Sequence, residues 1–118
     1  MTRVLVIDDN QTILDIVADI LRHNNAQVKT ILNPDGVEEV LQLFRPHVLL
    51  LDVSLPGYDG RNICREIKSN PALGKISIIL FSANPMEPES VADAYADDFL
   101  EKPFSMDELV EIVQQYSR

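Results

Sequence analysis

Two hydrophobic rhythms alternate along this chain. Apolar runs with little polar interruption occupy residues 3–7, His47–Leu51 and Lys75–Phe81, with Val28–Leu32 a short further strand and Asp98–Glu101 a weaker one. Runs without in–out alternation are how strands covered on both faces read, as in a parallel sheet. Between them, apolar residues recur at helical spacing. Asn10 can cap a helix carrying Ile13, Leu14, Val17, Ile20 and Leu21, which should end near His23-Asn24-Asn25. Asn33-Pro34 opens a second helix, with Val37, Val40, Leu41 and Phe44 inward and Pro46 as its stop. Asp59 or Gly60 starts a third, bearing Ile63 and Ile67 and ending before Asn70-Pro71. Pro85 and Pro88 leave room for at most a short helix between Asn84 and Tyr95. Ser105-Met106-Asp107-Glu108 forms a capping box for a last helix, with Leu109, Ile112, Val113 and Tyr116 inward.

Strand–helix alternation of this kind predicts an α/β fold, a parallel sheet with helices on both faces. Right-handed crossovers make a doubly wound, three-layer arrangement natural, and five strands suit the flavodoxin-like order 2-1-3-4-5. In that order the first and third strands are neighbours at the topological switch point, where open α/β sheets place their ligands beyond the strands' carboxyl ends. The first strand runs into Asp8-Asp9 and the third into Asp52, so three carboxylates should share one crevice. Ser82 and Lys102, at the ends of the fourth and fifth strands, would flank it.

Composition narrows the possibilities. A chain of 118 residues, 46% hydrophobic, makes one compact domain (residues 1–118), with no effector domain expected. Its net charge of −9 argues against nucleic acid or an anionic membrane as direct partner. Nothing reads as a signal peptide or membrane span, and the expected compartment is cytoplasmic. The single cysteine, Cys64, lies in register with Ile63 and Ile67 and reads as a buried, reduced thiol. His23 and His47 belong to no ligand pattern and read as structural.

Clustered carboxylates repel unless a positive charge stands between them. A hard divalent cation bound through oxygens, Mg²⁺, is the natural neutraliser and leaves coordination positions open for a phosphate-bearing ligand. Lys102 adds a point charge, and Ser82 a hydroxyl. An aspartate at such a place can act as nucleophile and become an aspartyl phosphate, with positioning and charge neutralisation doing most of the catalysis. Asp8 and Asp9 could instead be simple helix caps, but one carboxylate suffices for that.

Asp8-Asp9, Asp52, Leu55-Pro56 with Asp59-Gly60, Ser82-Ala83 and Lys102-Pro103, in this order and each at a strand end, resemble the response-regulator receiver domains of two-component signalling. The resemblance covers residues 2–117. It implies that Asp52 accepts a phosphoryl group from a phosphohistidine on a histidine kinase or histidine phosphotransfer protein. It implies further that Asp9, Asp52 and the backbone carbonyl of Ser54 ligate Mg²⁺, with Asp8 acting mainly through water. Lys102 would contact the phosphoryl group, Ser82 would move to hydrogen-bond it, and Phe99 matches an aromatic that turns inward in response. Lys102-Pro103 is a candidate cis peptide. Such a domain acts by switching a protein-binding face rather than as an enzyme, with at most self-catalysed phosphotransfer and autodephosphorylation. Its downstream target is not legible.

The chain also departs from the family. The stretch from Ser82 to Lys102 is slightly short, and Tyr95 stands where a glycine commonly ends the fourth helix. A tyrosine adopts φ > 0 only at a cost, so a different local backbone is expected there. Ser54 and Asn84 occupy places that tune phosphate loss in the family. Two other readings compete. A scaffold could keep the fold without using the pocket, though the intact acid set argues against it. A small phosphatase with an aspartyl nucleophile would need a general acid near Asp52, and Ser54 stands there instead.

Overall fold

The computed structural model describes residues 1–117. In chain order its elements are β1 (Thr2–Ile7), α1 (Gln11–Arg22), β2 (Ala26–Ile31), α2 (Val37–Phe44) and β3 (Val48–Asp52). A small hairpin follows, β4 (Ser54–Leu55) and β5 (Tyr58–Asp59), then α3 (Gly60–Ser69), β6 (Ser77–Ser82), α4 (Pro88–Asp93), β7 (Asp98–Glu101) and α5 (Met106–Tyr116). The main sheet is parallel, in the order β2-β1-β3-β6-β7. Setting the hairpin aside, that is the expected 2-1-3-4-5 arrangement.

The uninterrupted apolar runs are explained by the two cores the sheet separates. Val4, Val6, Val48, Leu50, Ile79 and Phe81 point to one face, against Leu14, Val17 and Leu21 of α1 and Leu109 and Val113 of α5. Leu5, Ile7, Leu49, Leu51, Ile78 and Leu80 point to the other, against Leu41 of α2 and Ile63, Cys64 and Ile67 of α3. Each fully buried aliphatic side chain contributes about 1.5–3 kcal/mol relative to leaving it in water. Every residue of β3 is buried, which makes it the axis of the fold.

Local chemistry sets the helix ends. The Asn10 side chain accepts from the Ile13 N–H at 3.2 Å, and Ser105 and Glu108 form the reciprocal capping box. Three boundaries differ from expectation. The second helix begins at Val37, not at Pro34: Asn33 Oδ1 accepts the Asp35 N–H, and Gly36 at φ 69° turns the chain before the helix can start. Strand β2 starts at Ala26 because Asn25, at φ 65°, redirects the chain straight out of α1. Lys75 and Ile76 precede β6 in a turn closed by the Ile76 N–H on the Leu73 carbonyl.

Tyr95 corrects a fourth expectation. The backbone there is not rearranged: Tyr95 holds φ 61°, the left-handed conformation a glycine would take. The Tyr95 N–H bonds the Ala92 carbonyl at 2.9 Å and the Ala96 N–H bonds the Val91 carbonyl at 3.2 Å. This is a Schellman closure of α4, and the buried Ala94 anchors it.

Candidate functional site

Adjacent parallel strands deliver their last residues side by side. Ile7 of β1 pairs with Leu51 of β3, so Asp8 and Asp9 emerge beside Asp52. Carboxylate oxygens of Asp8, Asp9 and Asp52 all lie within 4.8 Å of one another. Asp8 and Asp52 are buried, at 1% and 5% exposure, whereas Asp9 faces solvent. On the other side, Ser82 of β6 pairs with Glu101 of β7, and the Lys102 N–H bonds the Ser82 carbonyl at 2.8 Å. That register sends the Lys102 ammonium back over the acids. Its Nζ is 2.7 Å from Asp8 Oδ2 and 3.6 Å from Asp52 Oδ2. The Phe81 ring lies beneath it, with its centroid 5.7 Å from Nζ. The peptide before Pro103 is cis, as the sequence suggested.

The two buried acids are engaged differently. Asp8 Oδ1 accepts the Asn10 N–H at 2.9 Å while Oδ2 takes the lysine. Asp52 Oδ1 accepts only a long 3.3 Å bond from the Ser54 N–H. Burial raises the Asp52 pKa above the ordinary carboxylate value, and the negative field of Asp8 adds to the rise. Lys102 and the Ser54 N–H oppose it. Without a further cation, Asp52 is therefore an anion held at a cost. The donor set is all hard oxygen, which fits Mg²⁺ or a similar ion.

The segment after Asp52 is built to hold still. Pro56 and Gly57, the latter at φ 77°, form the turn of the β4–β5 hairpin, in which Ser54 pairs with Asp59. Asp59 then caps α3 by accepting the Arg61 N–H at 2.9 Å. Gly60, the first helical residue, lies directly against the backbone at the end of β3: a Cβ there would stand 2.2 Å from the Asp52 carbonyl oxygen. The hairpin, the Gly60 contact and the Arg61 side chain were not anticipated. Only the Asp59-Gly60 pair signalled a helix start there.

Ser82 is buried, and its hydroxyl accepts the Asn84 N–H at 3.1 Å. Phe99, paired with Leu80 across the sheet, is half-buried. Residues read as structural sit elsewhere. Cys64 is fully buried on the inner face of α3, and desolvation pushes its thiol up to about 12. His47 Nδ1 accepts the Arg3 N–H at 2.9 Å, and His23 lies exposed at the end of α1. Among the described residues no helix is long and apolar enough to cross a membrane. A hollow between α2 and residues 72–76 is lined by Leu41, Gln42, Arg45, Pro46, Ala72, Leu73 and Ile76.

Residues 4–114 match the response regulator receiver domain family. The response regulator MprA of Mycobacterium ulcerans is 38% identical over 112 residues, which are 92% of this chain and 47% of that protein. The chain thus spans about half the length of the curated relatives it matches. Among solved structures, the BeF3-activated receiver domain of DrrB is 34% identical with a TM-score of 0.82, covering 98% of this chain and 97% of that one. The signal receiver domain of a DNA-binding response regulator from Colwellia psychrerythraea 34H is 27% identical with a TM-score of 0.85, covering 98% and 97%. A matching sheet order, an acidic crevice at the switch point and a family match over nearly the whole chain lead to one conclusion: this chain belongs to the response-regulator receiver domains of two-component signalling.

Proposed function

We propose that Asp52 is the phosphoacceptor of this receiver, and that Asp8, Asp9, Ser54, Ser82, Lys102 and Phe99 serve it. The observation that carries this reading is the buried Asp52 carboxylate at the centre of the crevice, with Lys102 Nζ at 3.6 Å and two further acids beside it. The donor is a phosphohistidine of a histidine kinase or a histidine phosphotransfer protein. An Asp52 carboxylate oxygen attacks phosphorus, the P–N bond breaks, and the imidazole nitrogen departs with the bonding pair and takes up a proton. An acyl phosphate remains on Asp52.

Asp9, Asp52 and the Ser54 carbonyl would hold Mg²⁺, which when bound neutralises the charge carried by the phosphoryl oxygens. Asp8 acts through water, because both its oxygens already serve other donors, the Asn10 N–H and Lys102. Lys102 stands over the crevice and can pass from the aspartates to an incoming phosphoryl oxygen. Ser82, whose Oγ accepts the Asn84 N–H, turns to donate its O–H to a phosphoryl oxygen, and Phe99 turns inward behind it. The result is a changed protein-binding face. The chain acts in the cytoplasm as a receiver that signals by binding rather than by turning over substrate.

The test is an intact mass after incubation with acetyl phosphate. One phosphate adduct, formed with Mg²⁺, abolished by EDTA and absent in Asp52→Asn, is expected. No adduct in the wild-type protein with Mg²⁺, or an adduct that persists in Asp52→Asn, overturns the assignment.

A further inference from the structure

The short helix α4 is held by surprisingly little of its own. None of its six residues is fully buried, so it lacks the packing that fixes the other helices. Its attachments come from α3 instead. Arg65 Nε donates to the Asp93 carbonyl at 2.9 Å, and Arg61 Nη1 donates to Ser90 Oγ at 3.1 Å. Arg61 is the more consequential of the two because of where its other nitrogens go. Nη2 meets Asp59 Oδ2 at 2.7 Å, and Nε reaches both Asp59 oxygens at 3.1 and 3.2 Å. Asp59 pairs with Ser54 across the hairpin, and Asp9, Ser54, Asp59 and Arg61 line one crevice. A continuous chain of contacts therefore runs from Ser54, beside the acids, through Asp59 and Arg61 to Ser90 on α4.

We propose that Arg61 is a positioning residue that couples the Ser54 loop to α4: its fork holds Asp59 and so the hairpin presenting the Ser54 carbonyl, while its remaining N–H makes α4 depend on that hairpin. The inference rests on the reading of the crevice as a Mg²⁺-dependent phosphoacceptor site. It adds a connection separate from the one through Ser82 and Phe99. Only an arginine can make both contacts at once, since a lysine carries a compact cation with no planar fork. α4 is suited to report the coupling, because segments with few buried contacts open locally at low free-energy cost.

Two measurements on the intact chain test this, with MgCl₂ alone as the probe: calorimetric Mg²⁺ affinity, and amide exchange of Val91, Ala94, Tyr95 and Ala96, whose N–H groups close α4. Mg²⁺ should slow exchange of these amides about threefold in the wild-type protein, the scale of one exposed ion pair. Arg61→Ala and Arg61→Lys should weaken Mg²⁺ binding by a similar factor and abolish the slowing. Ser90→Ala, which cuts only the far end, should bind Mg²⁺ within about twofold of wild type and yet lose the slowing. Wild-type protein that binds Mg²⁺ with no slowing, or slowing that survives in Arg61→Ala and Ser90→Ala, overturns the coupling. An absence of Mg²⁺ heat and of a phosphate adduct in wild type overturns the site reading itself, which is a distinct outcome.

Discussion

Gly60→Ala isolates the contact between α3 and the end of β3. The added Cβ would lie 2.2 Å from the Asp52 carbonyl oxygen, 2.9 Å from Val53 Cα and 3.0 Å from the Asp52 carbonyl carbon. A tolerable carbon–oxygen approach is about 3.3 Å, so helix and strand end must part by about 1 Å. All three obstacles are backbone, so no side chain can swing away. Overpacking of this kind costs about 1–3 kcal/mol, of which the better helix propensity of alanine returns at most about 1. With the full return the expected net loss is roughly 0–2 kcal/mol, read as a lower urea midpoint at unchanged slope. The functional loss should be larger, because displacing a reacting group by about 1 Å can cost on the order of 100-fold in rate. Gly36→Ala is the control. Gly36 has φ 69° with nothing within 4 Å of an added Cβ, so Gly36→Ala should lose about 0.5–1 kcal/mol, the backbone strain less the entropy that alanine recovers. It should leave the rate of phosphorylation by acetyl phosphate intact. Gly60→Ala with the same rate as Gly36→Ala would refute the argument that the α3 contact sets the Asp52 position.

Two further outcomes follow from burial and charge. Because Asp52 has a raised pKa in the fold, its neutral form is favoured there, and that stability is present at acid pH and lost as pH rises through the folded value. Without divalent ions, Asp52→Asn should therefore match wild type near pH 4 and exceed it in melting temperature at pH 7, with added Mg²⁺ closing the gap; a less stable variant at pH 7 contradicts this. Cys64, fully buried with its thiol pushed up to about 12, should resist iodoacetamide at pH 8 in native protein and react on unfolding in urea, and rapid labelling of the folded chain would refute the assignment.

Sheet order and the acid cluster were legible in the sequence for one physical reason. β1, β3 and β6 are covered on both faces, so their residues form unbroken apolar runs, and the polar residue ending each run marks the carboxyl edge. The start of α2 was misjudged because Asn33-Pro34 carries a good capping signal, while the left-handed Gly36 that decides the matter is visible only as backbone. At Tyr95 side-chain preference argued for a changed backbone, yet two backbone bonds and the buried Ala94 hold the turn against it. The Arg61–Ser90 contact spans 29 positions between half-buried polar residues, and no local periodicity encodes such a pair.

The Schellman turn at Tyr95 also bears on how freely this domain can change. A non-glycine residue in the left-handed region gives up about 1–2 kcal/mol, and glycine recovers that at an entropic cost of about 0.5–1. Tyr95 is 56% exposed and packs too little to offset the difference. Tyr95→Gly is thus a stabilising step of about 0.5–1 kcal/mol already prepared by the backbone. That margin could absorb a destabilising substitution elsewhere, so the tyrosine marks a reserve from which new contacts on the α4 side could be evolved or engineered.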